Sequence, residues 1–228
     1  MYYGFDSTYV LVLIGIAIVM FAQHKVKSTF AAYDTIETSR SITGVQAATA
    51  ILQQSNIHDV TVEHIRGDLT DHYDPRNKVL RLSDATYNST SIAAVAVAAH
   101  ECGHAVQDYQ NYGFLKVRSL LAPITQIGST LAVPMIFLGL ILNIAGLISI
   151  GIIAFGLVLL FQMVTLPVEF DASKRALAIL ADKQIITIDE VPAVKKVLNA
   201  AAFTYVAATL STALQLLRFI LISNRRRN

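Results

Sequence analysis

One cysteine and no tryptophan occur in the 228 residues of this chain. A lone Cys102 excludes an internal disulfide framework and any metal site closed by several thiolates, and it leaves the redox compartment open. Without tryptophan, interfacial anchoring falls to tyrosine and phenylalanine. Charge is scarce as well. Asp, Glu, Lys and Arg make up 15% of the chain with a formal net charge of +2, and no basic stripe of the kind that binds nucleic acid is present. The widest gap lies between Arg118 and Glu169, where the 50 residues 119–168 carry no charge at all.

Apolar residues fill these gaps, at 54% of the chain and a mean hydropathy of +0.52. At 1.5 Å per residue the charge-free stretch makes roughly 75 Å of helix, enough to cross a ~30 Å hydrocarbon core twice. A hairpin of Leu120–Leu142 and Ile144–Leu166 is expected, turning near Asn143, with Pro123 and Pro134 kinking its first arm. Two crossings return the chain to the side it left. A shorter run, Thr8–Ala22, reads as an uncleaved anchor: no Lys or Arg precedes it, no small-residue cleavage site follows, and Lys25 and Lys27 come directly after. A third run, Ala200–Ile222, ends in Arg225-Arg226-Arg227 and carries Thr204, Ser211, Gln215 and Arg218 at helical spacing. That stripe predicts packing against protein, a wet cavity or an interfacial helix. Lys25, Lys27, Lys116, Arg118, Lys174 and Arg175 flank the apolar runs on one side and favour a cytoplasmic placement of that side. The three terminal arginines oppose it if the last run spans.

Residues 24–119 read as a globular segment. Val45, Ala48 and Leu52 give Gly44–Gln54 a helical rhythm. The runs "DVTVEHI", "TDHY" and "KVLRLS", grouped around Asp74-Pro75-Arg76-Asn77, predict a small antiparallel sheet. Val79–Leu82 is its expected exposed edge, open to an extended substrate by strand addition. A helix apolar at Ile92, Val95, Ala96 and Ala99 follows, half buried at its start.

That helix contains His100-Glu101-Cys102-Gly103-His104, which has the form H-E-x-x-H. Histidines at i and i+4 share one helix face and can grip a single metal ion, while the glutamate is rotated toward an activated water. A mere structural pair of histidines is the bland alternative. Gly103 weighs against it, because glycine inside a helix costs about 1 kcal/mol. Catalytic zinc needs a third protein ligand and an open position. Glu169 is the first charged residue after the hairpin and Asp171 follows it. On the residues alone, Glu169 is either that ligand or a marker of the membrane boundary. Pro167 suits an early helical position and so predicts a new helix with Glu169 in its first turn. Cys102 lies about 200° round the helix from His100 and reads as a packing residue. His64 and His72 suit surface or hydrogen-bonding roles, and His24 and His58 suit solvent or an interface.

The stretches "DHYDPRNKVLRLSDATYNSTSIAAVAVAAHECGHAVQD", "LPVEFDASKRALAIL" and "VKKVLNAAAFTYVAATLSTALQLLR", with "TGVQAA" before them, together resemble the YugP-type membrane zinc metallopeptidases of bacteria. The resemblance covers nearly the whole chain. It implies a zinc-dependent integral-membrane endopeptidase of the zincin class, with His100, His104 and Glu169 as metal ligands and Glu101 as catalytic base. The wider gluzincin pattern often places an aspartate four residues after the ligand glutamate. Here Ser173 stands there, so Ser173, Asp171 or another residue is expected to support a ligand histidine.

The expected fold class is therefore α+β: a small zincin-like domain, with a short antiparallel sheet and the H-E-x-x-H helix, fused to a mainly helical transmembrane bundle. Its expected parts are an anchor (1–23), a catalytic segment (24–119), a membrane hairpin (120–166), a helical segment with the third ligand (167–199) and a membrane-associated C-terminal helix (200–228). Zn²⁺ is the expected cofactor. The expected partners are a protein or peptide substrate, membrane proteins among them, and the lipid bilayer, with no nucleic acid. A membrane protein that binds zinc without proteolysis is the rival reading.

Overall fold

The computed structural model describes residues 7–227. Its elements are α1 (Tyr9–Asp34), α2 (Gly44–Gln54), β1 (Thr61–His64), β2 (His72–Asp74), β3 (Val79–Leu82), α3 (Ile92–Tyr109), α4 (Gly113–Leu142), α5 (Ala145–Asp182) and α6 (Val191–Arg227). Two compact units form. One holds residues 24–115 and 167–203; the other holds residues 7–23, 116–166 and 204–227.

In the first unit, α2 and α3 pack through small side chains. Ala47, Ala48 and Ile51 of α2 share a fully buried cluster with Val95, Ala98, Ala99 and Cys102 of α3. Both helix starts are specified locally. Thr43 Oγ1 accepts from Gln46 N while Gln46 Oε1 accepts from Thr43 N, a reciprocal cap. Ser91 Oγ accepts from Ala94 N at 3.1 Å to start α3, and donates to Asp34 at the end of α1.

The sheet differs from the expectation of a purely antiparallel one. Its order is β1-β3-β2, with β1 parallel and β2 antiparallel to β3. Asp74 fixes the β2–β3 turn by accepting from Arg76 N and Asn77 N. Beyond β1 the chain crosses to the other side of β3. Asp84 holds that crossing, accepting from Gly67 N and pairing with His64. Val79–Leu82 is therefore the central strand, with Leu80 and Leu82 fully buried, and not an exposed edge. Strand addition at β3 is ruled out because both of its sides are already paired.

The other unit is built from helix segments of the kind that cross bilayers. Among the described residues four helices, Tyr9–Asp34, Gly113–Leu142, Ala145–Asp182 and Val191–Arg225, are long and apolar enough to do so. Leu120, Ile141 and Ile153 are largely exposed, as lipid-facing residues are. α4 and α5 make the expected hairpin. Asn143 takes a left-handed conformation (φ 56°) and Ile144 N donates back to Gly139 O, which closes α4. A Cβ at Gly151 would lie 2.9 Å from Ala132 O, so these two helices meet where a side chain is missing. Two residues of the polar stripe of α6 meet α1: Gly15 faces Ser211, and the Arg218 guanidinium lies 4.3 Å from the Tyr9 ring centroid.

α5 corrects a second expectation. It runs unbroken from Ala145 to Asp182 with Pro167 inside it, so Glu169 lies deep within a long helix and not in the first turn of a new one. The pyrrolidine removes one backbone donor, a loss that long apolar helices tolerate.

Candidate metal centre

α3 presents His100 and His104 one turn apart, with ring centroids 4.8 Å from each other. α5 brings Glu169, almost completely buried, against both. Its Oε2 lies 3.2 Å from His100 Nε2 and 3.5 Å from His104 Nε2. One ligand atom from each of the three residues lies within 4.8 Å of the others. The helices approach this closely because of Gly103: a Cβ there would stand 2.4 Å from Ala172 O.

Each imidazole is held at its other nitrogen. Ser173 Oγ lies 3.0 Å from His100 Nδ1, and Gln107 Oε1 lies 3.0 Å from His104 Nδ1. The Gln107 amide can face only one way. Its Nε2 donates at 2.8 Å to both Val168 O and Asp171 Oδ2, groups that only accept. Its oxygen must therefore face His104 and accept from Nδ1–H, which leaves a lone pair on His104 Nε2. Two imidazole nitrogens oriented in this way, with one carboxylate oxygen, are a donor set that Zn²⁺ takes, so the residues present fit the metal.

Asp171 is one bond further out. It joins Gln107 and Arg175, and Arg175 also reaches Gln110 and covers the Tyr112 ring. Ser173 thus meets His100 directly, whereas Asp171 reaches His104 only through Gln107. Gln107 is fully buried and went unrecognised in the sequence. Its local signal was an amide three residues after His104, on the helix face that carries both histidines. Replacing it with leucine should weaken zinc binding about 10- to 100-fold, as loss of a bond orienting a ligand does. Cys102→Ala, equally buried on the same helix, should leave the affinity unchanged. Chelator competition on the two variants checks both expectations.

Glu101 turns toward the sheet, where its Oε2 accepts from Tyr73 N at 3.1 Å. Two turns on, Asp108 accepts from Tyr73 Oη at 2.8 Å and from Lys78 Nζ at 2.6 Å. Burial, and then the Asp108 carboxylate to which it donates, push the Tyr73 phenol well above its ordinary pKa. It stays protonated and ties β2 to α3. Cys102 lies under α2, its Sγ 3.6 Å from Ala48 O, and burial likewise raises its thiol. His64 pairs with Asp84, and His72 bonds Thr70 O and approaches Arg81. Neither joins the cluster, and His24 and His58 are exposed.

Comparison with known proteins shows the family. Residues 8–224 match the family described as "Putative neutral zinc metallopeptidase". The chain is 45% identical over 213 residues to "Putative membrane protease YugP" of Bacillus subtilis (strain 168), covering 93% of this chain and 94% of that one. No solved structure matches. A family match spanning nearly every residue, around a buried His-His-Glu cluster of zinc-binding type, places this chain in the neutral zinc metallopeptidase family.

Proposed function

We propose that this protein is a membrane-embedded, zinc-dependent endopeptidase of zincin type. His100, His104 and Glu169 hold the metal, and Glu101 is the general base. The observation that carries the reading is the convergence of three zinc-type donors beside a glutamate that is not one of them. Zn²⁺, when bound, supplies a Lewis acid that polarises the scissile carbonyl and acidifies water. Glu101 accepts a proton from the attacking water on its carboxylate and returns it to the leaving amine nitrogen, so one C–O bond forms as the C–N bond breaks. Ser173 and Gln107 hold the imidazoles in place throughout. With β3 enclosed, the sheet edge beside Glu101 is β2, and an extended protein or peptide substrate lies along it near Tyr73. Purified protein should cleave an unfolded protein substrate, stop when stripped by a chelator and recover on addition of Zn²⁺. Undiminished cleavage by metal-free protein would refute the reading.

The site is assigned to the cytoplasmic side of the membrane, supported by the cations that flank the apolar runs: Lys25, Lys27, Lys116, Arg118, Lys174 and Arg175. In a Cys102→Ala background, Lys116→Cys and Lys174→Cys should both be labelled by a membrane-impermeant thiol reagent from the cytoplasmic face only. Labelling from opposite faces would mean an odd number of crossings between them.

A further inference from the structure

Away from the histidines, a groove of about 430 Å³ runs between α1 and α6, lined by Lys25, Ser28, Thr29, Tyr33, Lys196 and Asn199 together with two alanines. On α1 the lining positions recur at helical spacing from Lys25 through Tyr33, and on α6 from Lys196 through Ala200, so each helix gives one face. Both charged residues in the lining are lysines, and no carboxylate joins them. Thr29, Tyr33 and Asn199 add neutral donors. The groove is thus built for a compact anion rich in acceptor oxygens.

Its depth narrows the choice. The apolar run of α1 ends at Ala22, three residues or about 4.5 Å along the axis before Lys25. The apolar stretch of α6 begins at Ala200, about 6 Å beyond Lys196. Each headgroup layer of a bilayer is about 5–8 Å thick, so the helix positions of both lysines match its depth. Basic pockets between helices at that level are where anionic headgroups bind. The Lys25 ammonium also lies 5.5 Å from the Phe203 ring centroid, a contact that keeps the side chain at the groove and not extended into solvent.

We propose that this groove binds the phosphate of an anionic phospholipid headgroup in the leaflet where α1 and α6 leave the hydrocarbon. One phosphodiester sits between Lys25 and Lys196, with Thr29, Tyr33 and Asn199 donating to its remaining oxygens. The assignment is independent of zinc and of proteolysis.

The test uses the full-length chain in neutral detergent, with bound lipid counted by native mass spectrometry. Phosphatidylglycerol, phosphatidylcholine and inorganic phosphate are titrated separately. One phosphatidylglycerol should bind about 10-fold more tightly than phosphatidylcholine, and Lys25→Gln and Lys196→Gln should each remove most of that preference. Both lysines are exposed, so the variants fold. Lys27→Gln is the control, because Lys27 is on the same helix at nearly the same depth but about 200° round from Lys25. It should change the affinity less than about 2-fold. An equal loss in Lys27→Gln would overturn the proposal in favour of a diffuse layer of charge. So would an absent preference for the anionic lipid in the wild-type protein. Inorganic phosphate binding as tightly as phosphatidylglycerol would make this a free-phosphate site and refute the lipid assignment.

Discussion

Glu101→Gln is expected to retain about one zinc per chain while losing about 10²- to 10⁴-fold in cleavage rate, the usual contribution of a positioned general base. The exchange preserves shape. An amide oxygen still accepts from Tyr73 N, so the tie between β2 and α3 survives together with the Asp108 bonds to Tyr73 and Lys78. What the amide lacks is basicity, and it cannot take the water's proton. None of the three clustered donors is touched, so the metal content should hold. Retained zinc with lost turnover separates a base from a ligand. Loss of both together would move Glu101 into the metal shell, and a rate near that of the wild-type protein would remove it from the chemistry.

How much of this was legible beforehand depended on how local each signal was. α2 spans the residues its apolar period predicted, and α3 follows its apolar run, each held at its start by a cap, Thr43 or Ser91, that satisfies helix donors within four residues of itself. The hairpin was equally plain: fifty uncharged residues admit few alternatives, and Asn143 stands at the middle of them, between Gly139 and Gly146. The direction of β1 was not legible, since alternating burial looks the same in parallel and antiparallel pairs. The enclosure of β3 depends in turn on β1 crossing over. At Pro167 a local rule lost to its surroundings. A proline at a helix start is common, but here it sits within a 38-residue helix that packs on α3 through Glu169 and Ala172.

At the site, the H-E-x-x-H spacing announced one helix face, whereas Glu169, the first charge after the uncharged run, could be read as a ligand or as a membrane-boundary marker until α5 brought it against both histidines. The supporting bonds were harder to read. Ser173 and Asp171 both stood in view as candidates, and each has a different partner: Ser173 meets His100, while Asp171 acts through Gln107. Gln107 became visible only once α5 supplied Val168 O and Asp171 as fixed acceptors for its amide.

The largest expected effect on metal binding comes from Glu169. Its Oε2 approaches both histidines within 3.5 Å, whereas Asp171 is bonded to Gln107 and Arg175. Removing one of three ligands also leaves two imidazoles without the anionic charge that balances the cation. Glu169→Ala should therefore lose well over 100-fold in zinc affinity. Asp171→Ala, which only loosens the amide that orients His104, should lose no more than about 10- to 100-fold. Both proteins should elute as the wild type does, so that the comparison is between folded chains. The direct test is the zinc dissociation constant of wild type, Glu169→Ala and Asp171→Ala, measured side by side by chelator competition. The account predicts the order wild type tightest, Asp171→Ala intermediate and Glu169→Ala weakest by a wide margin. A Glu169→Ala protein that holds zinc as tightly as wild type, or more tightly than Asp171→Ala, would contradict it.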